Sequence, residues 1–308
     1  MNPSPKCHPE LTQSLKIITT NPRLFLSIYT LLALPLSLTI FSSILISRPL
    51  KAQISLKSDL KSRLSTSMES GMVFEEIQSD TLTLIHVQAL HFFPSYALSL
   101  LATVTAVDAA AAAVSGEFPS LKTAWSAVKV VWMRPLVTCI YVYALICGYN
   151  LMVFVLGSMV NSSSLMGILV ISSRDGNWPN WVVEMGVVVF RAVLEVYAAA
   201  VFSMGVVVAV VEERYGWGAV REGWVLVGKR RFSGWGLAGF LVVVSRGVLW
   251  GFEGVSRMDG QDLLGVFERV VLVCFFGWLV LWGCVVNTVF YFECQRLYVE
   301  RLESQRFI

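Results

Sequence analysis

The sequence has little charge for its length. Charged residues make up 15% of the 308 residues, whereas about 25% is usual in a soluble domain. Hydrophobic residues make up 56%, above the roughly 45–50% of soluble domains, so the composition excludes an ordinary soluble fold. The net charge of +3 is small, and no basic tract is interleaved with aromatic residues, so we expect no nucleic-acid partner.

The sequence also lacks the motifs that carry enzyme chemistry. It contains no P-loop, no GxSxG, no HExxH and no GxGxxG after a strand. The six cysteines form no CxxC pair, and no histidine stands at zinc spacing from them. They are typical of small packing residues, with acylation of Cys294 as an alternative. We therefore predict a protein that is not an enzyme and that uses no cofactor or metal.

Long apolar runs are the dominant positive feature. A membrane-spanning helix needs about 20 apolar residues, and these runs do not alternate as barrel strands do. The first run is also longer than the roughly 7–15 residues of a cleaved signal core, which predicts a retained span. The sequence thus predicts an all-α, multi-pass membrane protein with six transmembrane helices. The runs are Leu24–Ile46, Leu82–Val114, Leu136–Val160, Trp181–Val211, Phe232–Phe252 and Leu263–Phe292.

The distribution of basic residues predicts the orientation. Fourteen Lys and Arg residues fall on the side that the two termini share, and seven fall in the opposite loops. The positive-inside rule therefore predicts that both termini are cytosolic, in the endoplasmic reticulum or the plasma membrane. Asn161, in Asn161-Ser162-Ser163, would face the other side and is a candidate glycosylation site close to the membrane.

The chain is predicted to be a single membrane domain of three approximate repeats, 8–114, 115–211 and 212–294. Each repeat would be a helical hairpin preceded by an amphipathic interfacial helix. The prediction rests on apolar residues at helical spacing before spans three and five, namely Phe118, Leu121, Trp125 and Val128, and Trp217, Val220, Trp224 and Val227. We expect an outer-side loop over 47–81 and a cytosolic tail over 295–308.

Such helices lie in the interface when Trp enters the headgroup layer and basic residues meet anionic lipid. The alternative is that these segments only orient the spans and cap the bundle. The candidate lipid contacts are Trp125, Trp132, Lys129, Arg134, Trp217, Trp224, Lys229, Arg230 and Arg231.

Three ionisable residues fall within the apolar runs and form a candidate intramembrane polar site. Arg191 and Glu195 are four residues apart in span four, so they share a helix face and could pair. Asp108 stands near the cytosolic end of span two. Since buried charge is costly in a bilayer, these residues indicate either a transport pathway or a structural and interfacial role.

Several segments together resemble a known family. They are Ser14-Leu15-Lys16, Asn21-Pro22-Arg23, Leu34-Pro35-Leu36-Ser37, Val210-Val211-Glu212-Glu213-Arg214-Tyr215-Gly216, Gly228-Lys229-Arg230 and Val289-Phe290-Tyr291-Phe292-Glu293-Cys294. With them the chain resembles a plant family of uncharacterised six-span membrane proteins. That family is similar in layout to the membrane domain of bacterial glycerophosphodiester phosphodiesterases. The resemblance implies an integral membrane protein and carries over no catalytic residue.

Two functions follow as hypotheses. The first is a scaffold that organises the membrane, senses lipid or binds a partner, with membrane lipids and other membrane proteins as its partners. The second is a small-solute transporter or channel that uses the polar residues of span four. A lipid-modifying enzyme is the weakest of the alternatives.

Overall fold

The fold is helical. A computed structural model describes residues 9–63, 67–117, 121–161, 180–212, 214–229, 231–257 and 263–306, and none of these residues lies in a strand. The helices are α1 (Pro9–Thr20), α2 (Pro22–Ile28), a π-helical turn (Tyr29–Ala33), α3 (Leu34–Arg63), α4 (Ser67–Val114), α5 (Leu121–Val131), α6 (Met133–Asn161), α7 (Asn180–Val211), α8 (Trp217–Lys229), α9 (Arg231–Arg257) and α10 (Leu263–Arg306).

Five of the described helical segments are long and apolar enough to cross a membrane. They are Pro22–Leu60, Val73–Val114, Arg191–Val211, Ser233–Ser256 and Leu264–Leu297. A sixth arises if the broken pair Lys122–Val131 and Met133–Gly148 counts as one span. The all-helical class is confirmed, and the chain is compatible with a multi-pass integral membrane protein, whereas the layout of three hairpins stays a prediction.

The segment expected to form an outer loop is largely helical. Helix α3 continues to Arg63 and α4 begins at Ser67. Most of 47–81 therefore extends these two helices beyond their apolar parts. Lys57 joins the extensions, because its Nζ lies 2.7 Å from Asp80 and 3.1 Å from Glu76. The predicted cytosolic tail over 295–308 is also helical as far as Arg306, where α10 ends.

The described chain divides into two compact units, each discontinuous in sequence. The first unit is Leu11–Lys129 with Val243–Val286, and the second is Val130–Val242 with Asn287–Ile308 and the residues up to Glu10. These boundaries do not follow the three approximate repeats, which stay a prediction from the sequence.

Aromatic packing forms the core of the first unit. The ring of Phe41 lies 4.3 Å from that of Phe252 and 5.4 Å from that of Phe276, measured between centroids. All three side chains are buried. Offset and edge-on aromatic pairs of this kind add about 0.5–1.5 kcal/mol beyond the burial of their surface. They fix α3 against α9 and α10.

Helix α1 is tied into the first unit by a buried polar contact. Ser14 is completely buried, and its Oγ accepts a 3.1 Å hydrogen bond from Nε1 of Trp282. Ile17, on the same side, is also buried, whereas Leu15 is 40% exposed. The inward side of α1 is therefore the one with Ser14 and Ile17.

Candidate functional site

Helix α5 has two sides of different character. Ala124 and Val128 are buried at one helical turn's spacing. Lys122, Trp125 and Lys129 are exposed and also share a side, since they stand at i, i+3 and i+7. The helix therefore packs through small apolar residues and presents an indole between two ammonium groups.

This exposed side borders a cavity of about 590 Å³ within the first unit. Helix α5 contributes Lys122, Trp125, Ser126 and Lys129 to its lining. The facing wall consists of Ile28, Leu31, Leu32 and Thr105, from the first span and from α4. The volume falls within the roughly 300–1,000 Å³ of small-molecule sites. The cavity is apolar on one wall and basic on the other.

The π-helical turn shapes the apolar wall. Within it Leu31 is 60% exposed, whereas Leu32 and Ala33 are buried. Its first residue, Tyr29, donates a 3.0 Å hydrogen bond to the carbonyl oxygen of Cys274. A Cβ atom at Gly277 would lie 3.1 Å from the carbonyl oxygen of Ala33. The turn is thus held against α10, and π-bulges occur often at functional sites.

Helix α8, in the second unit, has the same two-sided arrangement. Val220 and Val227 are buried, whereas Trp217 and Trp224 are 59% and 58% exposed. Arg221 is exposed and stands between the two tryptophans on the same side. The apolar residues that the sequence suggested as one face therefore split, with valines inward and tryptophans outward.

Glycines dock α8 closely on α7. A Cβ atom at Gly223 would lie 2.7 Å from the backbone nitrogen of Gly205 and 2.8 Å from the carbonyl oxygen of Val201. One at Gly205 would lie 3.2 Å from the Cα of Val220. The two backbones are in contact, so α8 is a fixed part of the second unit.

The corner before α8, residues 214–216, is held by a hydrogen bond to a side chain of α6. Gly216 has a φ of +62°, which glycine adopts without a steric penalty. Its N–H donates a 2.9 Å hydrogen bond to Oγ1 of Thr138, which is completely buried. A Cβ at this position would also lie 3.3 Å from the ring of Tyr141.

A polar cluster joins the same corner to α10. The hydroxyl of buried Tyr291 donates a 2.7 Å hydrogen bond to Oε1 of Glu212. The Nε of Arg214 lies 3.7 Å from Oε2 of Glu212, and its guanidinium also pairs with Glu222. The cluster links the end of α7, the middle of α8 and α10.

A second cavity, of about 470 Å³, lies beside α8 in the second unit. Its lining includes Tyr197, Trp224 and Trp235, together with Val225, Val227 and Gly228. The rings of Tyr197 and Trp235 are 5.5 Å apart and edge-on. The described residues that line this cavity carry no formal charge, in contrast to those that line the cavity beside α5.

The predicted intramembrane polar residues occupy different environments. On α7, Arg191 is exposed and Glu195 is half-buried. Asp108 is half-buried in α4 and belongs to the first unit. Arg191, Glu195 and Asp108 are not among the described residues that line the two cavities. Their role in transport, and the pairing of Arg191 with Glu195, stay predictions.

The remaining predicted lipid contacts are only partly described. Trp132 is 46% exposed at the break between α5 and α6, and Arg134 is half-buried. Lys229 and Arg231 lie in helices, but their side chains are outside the described residues, as is the whole of Arg230. Asn161 is the last residue of α6, and the rest of its glycosylation motif lies outside the described residues.

In the parts of the chain that the structure describes, no group of three or more His, Cys, Asp or Glu residues could hold a metal ion. Cys294 is buried, an environment unlike that of an acylated surface cysteine. The two-sided helices α5 and α8 and the cavity beside α5 form the candidate site. The sequence suggested Trp125, Lys129, Trp217 and Trp224 but missed Lys122 and Arg221, and no signal in it revealed the π-helical turn.

Comparison with known proteins gives one family. No curated protein and no solved structure matches the chain. The family defined by a domain of unknown function, DUF8558, matches residues 10–307. Because this match spans nearly the whole sequence, the chain belongs to the DUF8558 family.

Proposed function

We propose that the protein is a membrane scaffold that binds lipid at the cytosolic surface through α5 and α8. In this proposal the chain crosses the membrane six times, with both termini in the cytosol of the endoplasmic reticulum or plasma membrane. The partners are membrane lipids and, through the same surface, other membrane proteins.

One observation carries the proposal: the same arrangement occurs in two separate helices. In α5, Trp125 stands between Lys122 and Lys129; in α8, Arg221 stands between Trp217 and Trp224. Indole rings favour the headgroup layer, and basic groups there gain about 1 kcal/mol each near an anionic surface. A helix that only caps a bundle would gain from exposing basic residues to water but not from exposing indole rings.

The attachment of α8 supports a fixed platform. Because Gly205 and Gly223 bring two backbones into contact, α8 cannot tilt without breaking the packing of α7. A platform of this kind holds its tryptophans at one depth, which suits the ordering of nearby lipid.

Spin-labelled lipids in proteoliposomes test this proposal. We expect phosphatidylserine to be immobilised by the protein in preference to phosphatidylcholine. Substituting Trp125, Trp217 and Trp224 by Ala should lower this preference, because the interfacial anchors are lost. Trp250→Ala is the matched control, since Trp250 is 77% exposed but lies in α9.

Two results would contradict the proposal. One is an equal immobilisation of both lipids by the unaltered protein. The other is an equal loss of preference in the triple variant and in the Trp250→Ala control.

A further inference from the structure

We propose that the cavity beside α5 binds a single anionic phospholipid. Its phosphate is held by Lys122 and Lys129, and one acyl chain lies along Leu31 and Leu32. This inference rests on the proposed function, because it names the lipid that α5 recognises and the place where it is held.

The basic wall matches the charge of the ligand. Lys122 and Lys129 both line the cavity and are seven residues apart, which is about 10 Å along the helix axis. Two long, flexible side chains can converge on one phosphate placed between them. Among the described lining residues there is no carboxylate that would repel an anion.

Polar neighbours complete a headgroup site. Trp125 stands between the two lysines and lines the same cavity. Its indole is suited to the boundary between headgroup and acyl chain, where one end of the ring is wet and the other is apolar. Ser126 also lines the cavity and adds a hydroxyl close to the ammonium groups.

The apolar wall favours a lipid over free phosphate. Ile28 and Leu32 are buried beneath the cavity, and Leu31 is 60% exposed at its edge. A soluble anion would leave this wall in contact with water, whereas an acyl chain covers it. Burial of each CH₂ group contributes about 0.8 kcal/mol. The two walls together therefore fit a molecule with an anionic head and an apolar tail.

The residue that meets the tail lies in the π-helical turn. Within Tyr29–Ala33, Leu31 is outward whereas Leu32 and Ala33 are buried. Hydrogen bonding of Tyr29 to Cys274 and the close approach of Gly277 to Ala33 hold the turn in place. Single π-helical turns within α-helices occur frequently at functional sites.

The position of the cavity agrees with the leaflet in which anionic lipids are common. Ile28 lies near the start of the first span, and Thr105 lies nine residues before the end of α4. In the orientation proposed above, both ends are cytosolic. The cytosolic leaflet carries the anionic phosphatidylserine and phosphoinositides.

Native mass spectrometry of the detergent-purified full chain tests the site. Dioleoyl phosphatidylserine and dioleoyl phosphatidylcholine are added in equal amounts, and we expect one phosphatidylserine to remain bound in preference. Lys122→Gln with Lys129→Gln should weaken this binding by about tenfold or more, because two charge-assisted contacts are lost. Leu31→Asn should weaken it while both lysines remain.

A charge-matched control separates the site from general attraction. Lys16→Gln with Arg23→Gln also removes two exposed positive charges from the first unit, at residues that are not among those given as lining the cavity. This variant should keep the bound phosphatidylserine. Circular dichroism and thermal unfolding check that each variant is folded. For a variant that fails to fold, competition by soluble glycerol phosphate on the unaltered protein provides the second measurement.

The following results would contradict the inference. Equal weakening in the two charge variants means that only general attraction acts, and no weakening in either means that Lys122 and Lys129 do not hold the lipid. Equal retention of phosphatidylcholine excludes an anionic ligand, and full displacement by millimolar glycerol phosphate identifies a soluble anion as the occupant. If these results occur while the tryptophan substitutions still lower lipid selectivity, the site is wrong and the proposed scaffold stands; if neither set of variants has an effect, both fail.

Discussion

Gly223 of α8 lies against Gly205 of α7 so closely that a Cβ atom on Gly223 would approach the Gly205 nitrogen to 2.7 Å. Atoms at that distance cannot both stay in place, so only glycine keeps the crossing. Helix α8 is therefore attached to α7 by its backbone as well as by its side chains. This contact connects the packing of the second unit with the placement of Trp217 and Trp224.

Gly223→Ala should destabilise the protein. The added methyl must displace the backbone of α7, and overpacking of this kind costs about 1–3 kcal/mol. Thermal unfolding in detergent should show a lower midpoint. Gly218→Ala is the control on the same helix, since a Cβ there meets nothing within 4 Å. We expect this control to be neutral or slightly stabilising, and similar losses in the two variants would refute the close crossing.

Thr138→Val should weaken the corner before α8. Valine keeps the shape of threonine but removes the oxygen that accepts the N–H of Gly216. The buried donor is then left without this partner, which costs about 1–3 kcal/mol. Hydrogen exchange should become faster at Gly216 and at the start of α8. Unchanged exchange there would show that the contact does not hold the corner.

Tyr291→Phe should destabilise the second unit modestly. The substitution keeps the ring and removes the hydroxyl that binds Glu212. Because the side chain of Glu212 is 32% exposed and can regain water, we expect a loss of about 1 kcal/mol. The loss should disappear when Glu212 is already replaced by Ala, which removes the accepting oxygen, as measured in a double-mutant cycle. Tyr215→Phe serves as the control, since Tyr215 is 62% exposed in the same unit.

The sequence was sufficient to predict the helical class and most of the apolar segments. Length and apolarity decide both, and neither depends on the details of packing. Residue type alone suggested an interfacial role for Trp125, Lys129, Trp217 and Trp224, and this role stays a prediction, whereas Lys122 and Arg221 were not singled out. Which side of each helix faces inward could not be predicted, since valine and tryptophan are both apolar and only packing separates Val220 from Trp224.

Other features had no local signal. The π-helical turn at Tyr29–Ala33 depends on contacts with Cys274 and Gly277, far away in sequence. The segment 47–81 was predicted as an outer-side loop because it is the longest polar stretch of the sequence. In the structure it is largely helical, and Lys57 pairs across the two helices with Glu76 and Asp80. The partners of a charged segment decide its structure, and composition does not reveal them.

The most direct test is to determine from which side of the membrane a reagent reaches α5 and α8. Single cysteines at Thr123→Cys and Arg221→Cys, both exposed positions, would be placed in a chain whose six native cysteines are replaced by alanine. A membrane-impermeant maleimide should label neither site in intact cells and both sites after digitonin opens the plasma membrane alone. Labelling of either site in intact cells, or only after all membranes are dissolved, would contradict a lipid-binding platform at the cytosolic surface.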